Sequence, residues 1–146
     1  MLMLQVARFL FKSVVALQKG AKLPPSAEYL QQLSKGKVAV EVKEELLNCP
    51  FFVNQLLKTY SCIQVKNMAL KLSQGIKEGM SEKEAWDTYA GLSLNDAAIA
   101  HSVVTIHTFF LEALMKVECP KVKAVLTKLC LLFGLEKLID KASRVY

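Results

Sequence analysis

The sequence predicts an all-α fold, a helical bundle of five or six helices. Three observations carry the prediction. Apolar residues recur three and four apart over most of the chain, β-branched runs with period-two alternation are nearly absent, and only four Pro and six Gly interrupt 146 residues. That length is one domain's worth of chain, so residues 1–146 are expected to form a single helical domain.

The first helix is expected over residues 1–18. Leu4, Ala7, Phe11, Val14 and Gln18 share one face, Leu10 and Leu17 flank it, and Gly20 is a natural stop. An apolar start can imitate a signal peptide, but Arg8 and Lys12 interrupt the run and no small-residue cleavage site follows. The chain begins already in helical phase, as if cut into an existing helix. Pro24 and Pro25 then force an extended connection, and Ser26 can cap a short helix through Leu33. Residues 34–40, with Gly36 among them, read as a loop, and residues 41–47 as a further helical turn.

Asn48 and Pro50 open a long helix that should reach about Gly79. Val53, Leu56, Leu57, Tyr60, Ile63, Met68, Leu72 and Ile76 form its expected inner stripe, with Lys58, Lys66, Lys71 and Lys77 mostly outside it. Ser81 and Glu84 have the spacing of a capping box. The helix it starts carries Trp86 and Tyr89 and stops near Gly91, and Ser93 to Asp96 repeat the signal before the next helix.

That next helix, residues 94–117, is expected to be the centre of the fold. Its apolar residues fall at 99, 103, 106, 110, 114 and 117, leaving a narrow polar stripe along His101, Thr105, Thr108, Glu112 and Lys116. So little polar surface predicts enclosure on several sides. Residues 97–111 carry no formal charge, but this run is shorter than the roughly 18–20 residues a bilayer needs and holds two histidines. No transmembrane segment is expected. Pro120 starts the last helix, with Val122, Val125, Leu129 and Leu132 as its buried candidates and Gly134 weakening or ending it.

Hydrophobic residues make up 53% of the chain and the mean hydropathy is +0.29, above the ~45–50% apolar content of soluble domains. The excess points to surface awaiting a partner, or another part of the same polypeptide. A net charge of +6 comes from 17 Lys and two Arg scattered along helix faces. No Arg-rich run concentrates it, so a nucleic-acid partner is excluded. Cys49, Cys62, Cys119 and Cys130 form no Cys-x-x-Cys pair; reduced thiols in an intracellular compartment are expected, with no metal site.

Little in the chain has the pattern of chemistry. It holds no Gly-rich phosphate loop, Gly-x-Ser-x-Gly elbow or His-Glu-x-x-His pair. His101 and His107 lie six apart, which turns them about 120° from one another on a helix, so they cannot share a metal. Each reads as a structural histidine. Glu41, Glu44 and Glu45 read as a solvated turn, Glu112 as a surface acid between Thr108 and Lys116, and Trp86 as a core anchor.

Three segments together resemble a family. MLMLQVARFL at 1–10 is similar to the start of the last helical region of peroxisomal acyl-CoA oxidases. EAWD at 84–87, AH at 100–101 and FFLEAL at 109–114 resemble the next landmark, and KAVLTKLCLLF at 123–133 a third, in the family's order and spacing. The resemblance extends to about Leu135, agrees poorly over residues 21–60, and is nearest to an acyl-CoA oxidase-like branch rather than the principal enzymes.

The resemblance implies the carboxyl-terminal helical domain of a flavoprotein of fatty acid β-oxidation, an oxidoreductase of lipid metabolism. The family reaction oxidises a fatty acyl-CoA to the 2-enoyl-CoA; FAD takes the hydride and oxygen reoxidises it to hydrogen peroxide. The family's glutamate base lies shortly before the position matching Met1, so no catalytic, cofactor-binding or metal residue is assigned in this chain. No FAD is expected on the chain alone, which by this reading is inactive, a fragment cut at both ends. Homodimerisation or association with oxidase subunits is implied. The family points to the peroxisome, while Arg144, Val145 and Tyr146 are not a Ser-Lys-Leu type address, so the chain alone is expected in the cytosol. The competing expectation is an independent helical interaction module without flavin chemistry.

Overall fold

The computed structural model of the protein describes residues 2–35, 44–89 and 91–142. Five α-helices and two 3-10 segments make up the described chain, with no strand among the described residues. Helix α1 is Leu2–Gln18, followed by a 3-10 stretch, Pro25–Lys35, and a 3-10 turn, Glu44–Asn48. Helix α2 is Pro50–Lys77. Helix α3 starts at Glu82–Glu84 and continues as a π-helical turn, Ala85–Tyr89. Helices α4 and α5 are Gly91–Met115 and Pro120–Ala142.

The helix ends follow from local chemistry. Gly20 (φ +74°) and Gly79 (φ +88°) adopt the left-handed conformation that favours glycine. Each closes its helix with the same pair of bonds: Ala21 N–H to Ala16 O and Gly20 N–H to Leu17 O after α1, Met80 N–H to Gly75 O and Gly79 N–H to Ile76 O after α2. Pro50 and Pro120 occupy first helical positions, where a missing N–H costs nothing. Ser81 and Glu84 form the expected capping box, Glu84 N–H donating to Ser81 Oγ at 3.3 Å and Ser81 N–H to the Glu84 carboxylate at 2.9 Å. Ser81 Oγ–H donates to the same carboxylate at 2.7 Å, and the two donors on it, the hydroxyl foremost and then the Ser81 N–H, hold Glu84 below the usual carboxylate pKa.

Two compact units divide the chain, residues 1–38 with 60–101 and residues 39–59 with 102–146, so each takes part of α2 and part of α4. In the first, Ala7 and Leu10 of α1, Leu30 of the 3-10 stretch, Cys62, Val65, Met68 and Leu72 of α2 and Ala97 of α4 form the core. Trp86 joins it, with Phe11 meeting its ring edge-on at 5.7 Å. In the second, Leu111 and Leu114 of α4 pack with Cys130 of α5, and Phe110 and Leu126 cover them.

Several expectations are corrected. The short helix expected after Ser26 is a 3-10 helix, Pro25–Lys35, which places Ser26 inside it and takes in Ser34 and Lys35, which the loop was to hold. The expected loop and turn at residues 36–43, Glu41 included, lie outside the described residues. Helix α4 starts at Gly91, so Ser93 is a buried helical residue and not a cap. Leu94, Ala97 and Ala98, all buried, draw that first turn into the core.

On α2, Ile63 and Ile76 are exposed while Ser61, Cys62 and Val65 are buried. Tyr29 explains the rotation, because its hydroxyl reaches Ser61 and its carbonyl accepts from Cys62 Sγ at 3.5 Å. Helix α4 is not enclosed all round: Ile106 and Phe109 face outward, while His101, expected on the polar stripe, is buried. By length and composition α4 could cross a membrane, yet 39% of its most apolar stretch is buried within the protein. On α5, all four expected core residues, Val122, Val125, Leu129 and Leu132, are exposed. Cys130 and Gly134 face inward instead, and the helix runs on through Gly134.

Candidate functional site

Each unit holds one buried polar cluster around a histidine of α4. In the first unit, α1, the 3-10 stretch and α2 position the partners of His101. Tyr29 Oη lies 2.8 Å from Ser61 Oγ and 2.9 Å from His101 Nδ1. The polarity in which Ser61 donates to Tyr29, and Tyr29 donates to Nδ1, uses each hydrogen once. Tyr29 stacks on the imidazole at 5.9 Å, and the Phe9 ring lies 6.0 Å from it. Burial pushes the Tyr29 phenol above its ordinary value, with Ser61 opposing. It pushes His101 down and the Cys62 thiol up to about 12. All three groups are therefore neutral near pH 7, and their hydrogen bonds tie the 3-10 stretch to α2 and α4.

In the second unit, Asn54 of α2 faces His107, which is fully buried. Asn54 Nδ2 donates to His107 Nδ1 at 3.0 Å and to Thr108 Oγ1 at 3.2 Å. An amide nitrogen only donates, so Nδ1 accepts and the ring hydrogen sits on Nε2, 3.6 Å from Cys130 Sγ. Burial lowers the His107 pKa, the Cys130 carbonyl raises it and Lys58 lowers it again. Phe133 stacks on the ring at 6.2 Å. Cysteine, histidine and asparagine are together here, a combination used in nucleophilic catalysis. Burial raises the Cys130 thiol pKa, and neither Cys130 nor His107 is exposed at all, so no thiolate is offered to a substrate.

The sequence singled out both histidines but placed only His107 inward. Their partners Tyr29, Ser61, Asn54 and Cys130 were missed, because sequence separations of 23 to 72 residues leave no local signal. Glu44, Glu45 and Glu112 are exposed, and no group of three metal-ligating side chains occurs among the described residues.

An open hollow of about 770 Å³ lies between α1 and α3, floored by Leu4, Phe11, Val15 and Trp86. Arg8 sits over the indole, 6.0 Å from its centroid. The rim carries Arg8, Lys12 and Lys83 with Glu82 and Asp87, so both charge signs meet there and no single class of charged ligand is selected.

Comparison with known proteins gives these features a family. The acyl-CoA oxidase family model matches residues 50–146. Human peroxisomal acyl-coenzyme A oxidase 1 is 30% identical over 139 residues, which are 92% of this chain and 21% of that protein. Rat peroxisomal acyl-coenzyme A oxidase 2 is 28% identical over 148 residues, 97% of this chain and 21% of that protein. Among solved structures, Caenorhabditis elegans acyl-CoA oxidase-2 bound with FAD, ascaroside-CoA and ATP superposes with a TM-score of 0.81 at 29% identity, over 97% of this chain and 20% of that one. Yarrowia lipolytica acyl-CoA oxidase 3 superposes with a TM-score of 0.86 over the same shares, at 22% identity, a likeness of fold alone. This chain thus spans about a fifth of the length of these relatives. Its all-α architecture is that of the helical carboxyl-terminal domain of those oxidases. The chain belongs to the acyl-CoA oxidase family.

Proposed function

We propose that this chain is the helical portion of an acyl-CoA oxidase-like flavoprotein of peroxisomal fatty acid β-oxidation, and that it supplies scaffold rather than chemistry. The family reaction is the FAD-dependent oxidation of an acyl-CoA to the 2-enoyl-CoA with release of hydrogen peroxide. One observation carries the scaffold reading. Every glutamate among the described residues is exposed, whereas a base that removes a proton from a bound acyl chain needs a protected, oriented position. The residues do not fit a flavin site either. The buried side-chain donors of Tyr29, Ser61 and Asn54 are engaged within the protein, the buried Thr59 hydroxyl is a single unpartnered group, and the open hollow offers a mixed-charge rim.

FAD and acyl-CoA therefore belong to the complete flavoprotein, and this chain is proposed to act by association, with itself or with oxidase subunits. Peroxisomal residence is proposed from the names of its relatives. Helix α4 is proposed to be a core helix and not a membrane span, since both of its histidines are hydrogen-bonded to other helical segments. Fluorescence titration of FAD with the purified chain tests the reading. Unchanged flavin emission is expected, and saturable quenching would overturn it.

A further inference from the structure

The hollow between α1 and α3 has the make-up of a small-molecule site, and all of its lining lies in the first unit. Its volume of about 770 Å³ falls within the roughly 300–1,000 Å³ that such sites occupy. Leu4, Phe11 and Val15 of α1 meet Trp86 of α3 in an apolar floor, with the Phe11 and Trp86 rings edge-on at 5.7 Å. Trp86 and Asp87 both reach the hollow from the π-helical turn Ala85–Tyr89. A π-turn inserted into a helix re-aims the side chains it carries, and such turns are frequent at functional sites.

The charges on the rim are sorted by wall. The α1 wall presents Arg8 and Lys12, and the α3 wall presents Glu82 and Asp87 against the single Lys83. Among the described residues no ion pair joins these groups, and Arg8 rests instead over the Trp86 indole at 6.0 Å. The two walls thus face one another across the hollow with opposite net sign and do not close on each other. A purely anionic ligand is attracted by one wall and repelled by the other, and so is a purely cationic one. A ligand that carries both signs satisfies both walls.

We propose that this hollow binds a zwitterionic amphiphile, one small molecule with an apolar chain and a head group bearing one anion and one cation. The chain lies along Phe11, Val15 and Trp86, the anion is held by Arg8 and Lys12, and the cation by Glu82 and Asp87. The site goes beyond the scaffold reading above and does not depend on it.

Trp86 is the one tryptophan of the 146-residue chain, so its emission reports on the floor of the hollow directly. The purified chain is titrated with dodecylphosphocholine, dodecanoate, dodecyltrimethylammonium and dodecyl maltoside, four probes of one chain length and different head charge, each below its micelle concentration. A saturable change in emission is expected, with dodecylphosphocholine binding about fivefold more tightly than the other three. Asp87→Lys, at an exposed position, removes an acid from the α3 wall and should make dodecanoate the tightest ligand. Equal affinities for the four probes, an unchanged order in Asp87→Lys, or no response of Trp86 would overturn the proposal. Sedimentation with phosphatidylcholine vesicles separates a free molecule from the same head group in a bilayer. The chain is expected to stay in the supernatant, and co-sedimentation would overturn the assignment of a free ligand.

Discussion

Gly134 of α5 lies against His107 of α4 so closely that a Cβ on the glycine would come within 2.7 Å of Nε2. The same Cβ would overlap the Val53 side chain, itself fully buried. Asn54 fixes the imidazole from its other side. Neither neighbour can move away without breaking a contact of its own.

Gly134→Ala is therefore expected to destabilise the protein. Alanine would gain about 1 kcal/mol in helix propensity, but overpacking costs about 1–3 kcal/mol, and two fixed neighbours place this site at the upper end. Denaturant unfolding monitored by circular dichroism should show a lower midpoint. A raised midpoint would mean that propensity wins and the contact is looser than described.

Tyr29→Phe removes one hydroxyl and leaves two buried partners, Ser61 Oγ and His101 Nδ1, without it. The ring and its stacking on His101 remain, so the loss isolates the hydrogen bonds. A destabilisation of about 1–3 kcal/mol is expected. An unchanged unfolding free energy would show that the hydroxyl does not hold this network.

The two histidines set a pH dependence. Burial holds both below the ordinary value of 6.5, so between folded and ordinary pKa the unfolded chain binds more protons. Stability should be complete above about pH 6.5 and fall as the pH drops below it, by at most about 1.4 kcal/mol per pH unit for each histidine. Chemical denaturation from about pH 7.5 to 5.5 measures the slope. A flat profile, or one that rises toward acid, would contradict the buried neutral state.

Burial on α1 and α4 separates two otherwise similar truncations. Leu10→Ala, fully buried in the first unit, should cost about 2–5 kcal/mol. Ile106→Ala removes a side chain that is 53% exposed and should cost well under 1 kcal/mol. Comparable losses would restore the enclosed α4 that its composition predicts.

Helix existence was legible because its signals are local: Pro50 and Pro120 at helix starts, Gly20 and Gly79 at helix ends, Ser81 with Glu84 at a cap. Which face turns inward was not. Helix α5 offers two faces at the same spacing, one lined by Val122, Val125, Leu129 and Leu132, the other by Cys130 and Gly134. Hydropathy favours the first, yet close approach to His107 and Val53 selects the second, because only a glycine fits there. The polar clusters were hidden for a related reason. Tyr29 and His101 are 72 residues apart, and Asn54 and His107 are 53 apart. Once Tyr29 and Asn54 satisfy them, two histidines can be buried on a helix whose composition alone would put His101 at the surface.

The central claim is that this member of the acyl-CoA oxidase family contributes helical scaffold and no redox chemistry of its own. Peroxide release measures it most directly: the purified 146-residue chain is incubated with FAD, oxygen and a long-chain acyl-CoA beside a complete acyl-CoA oxidase as positive control. The account predicts no peroxide above the enzyme-free background at any FAD concentration. Peroxide formed in proportion to this chain, with 2-enoyl-CoA in equal amount, would contradict it.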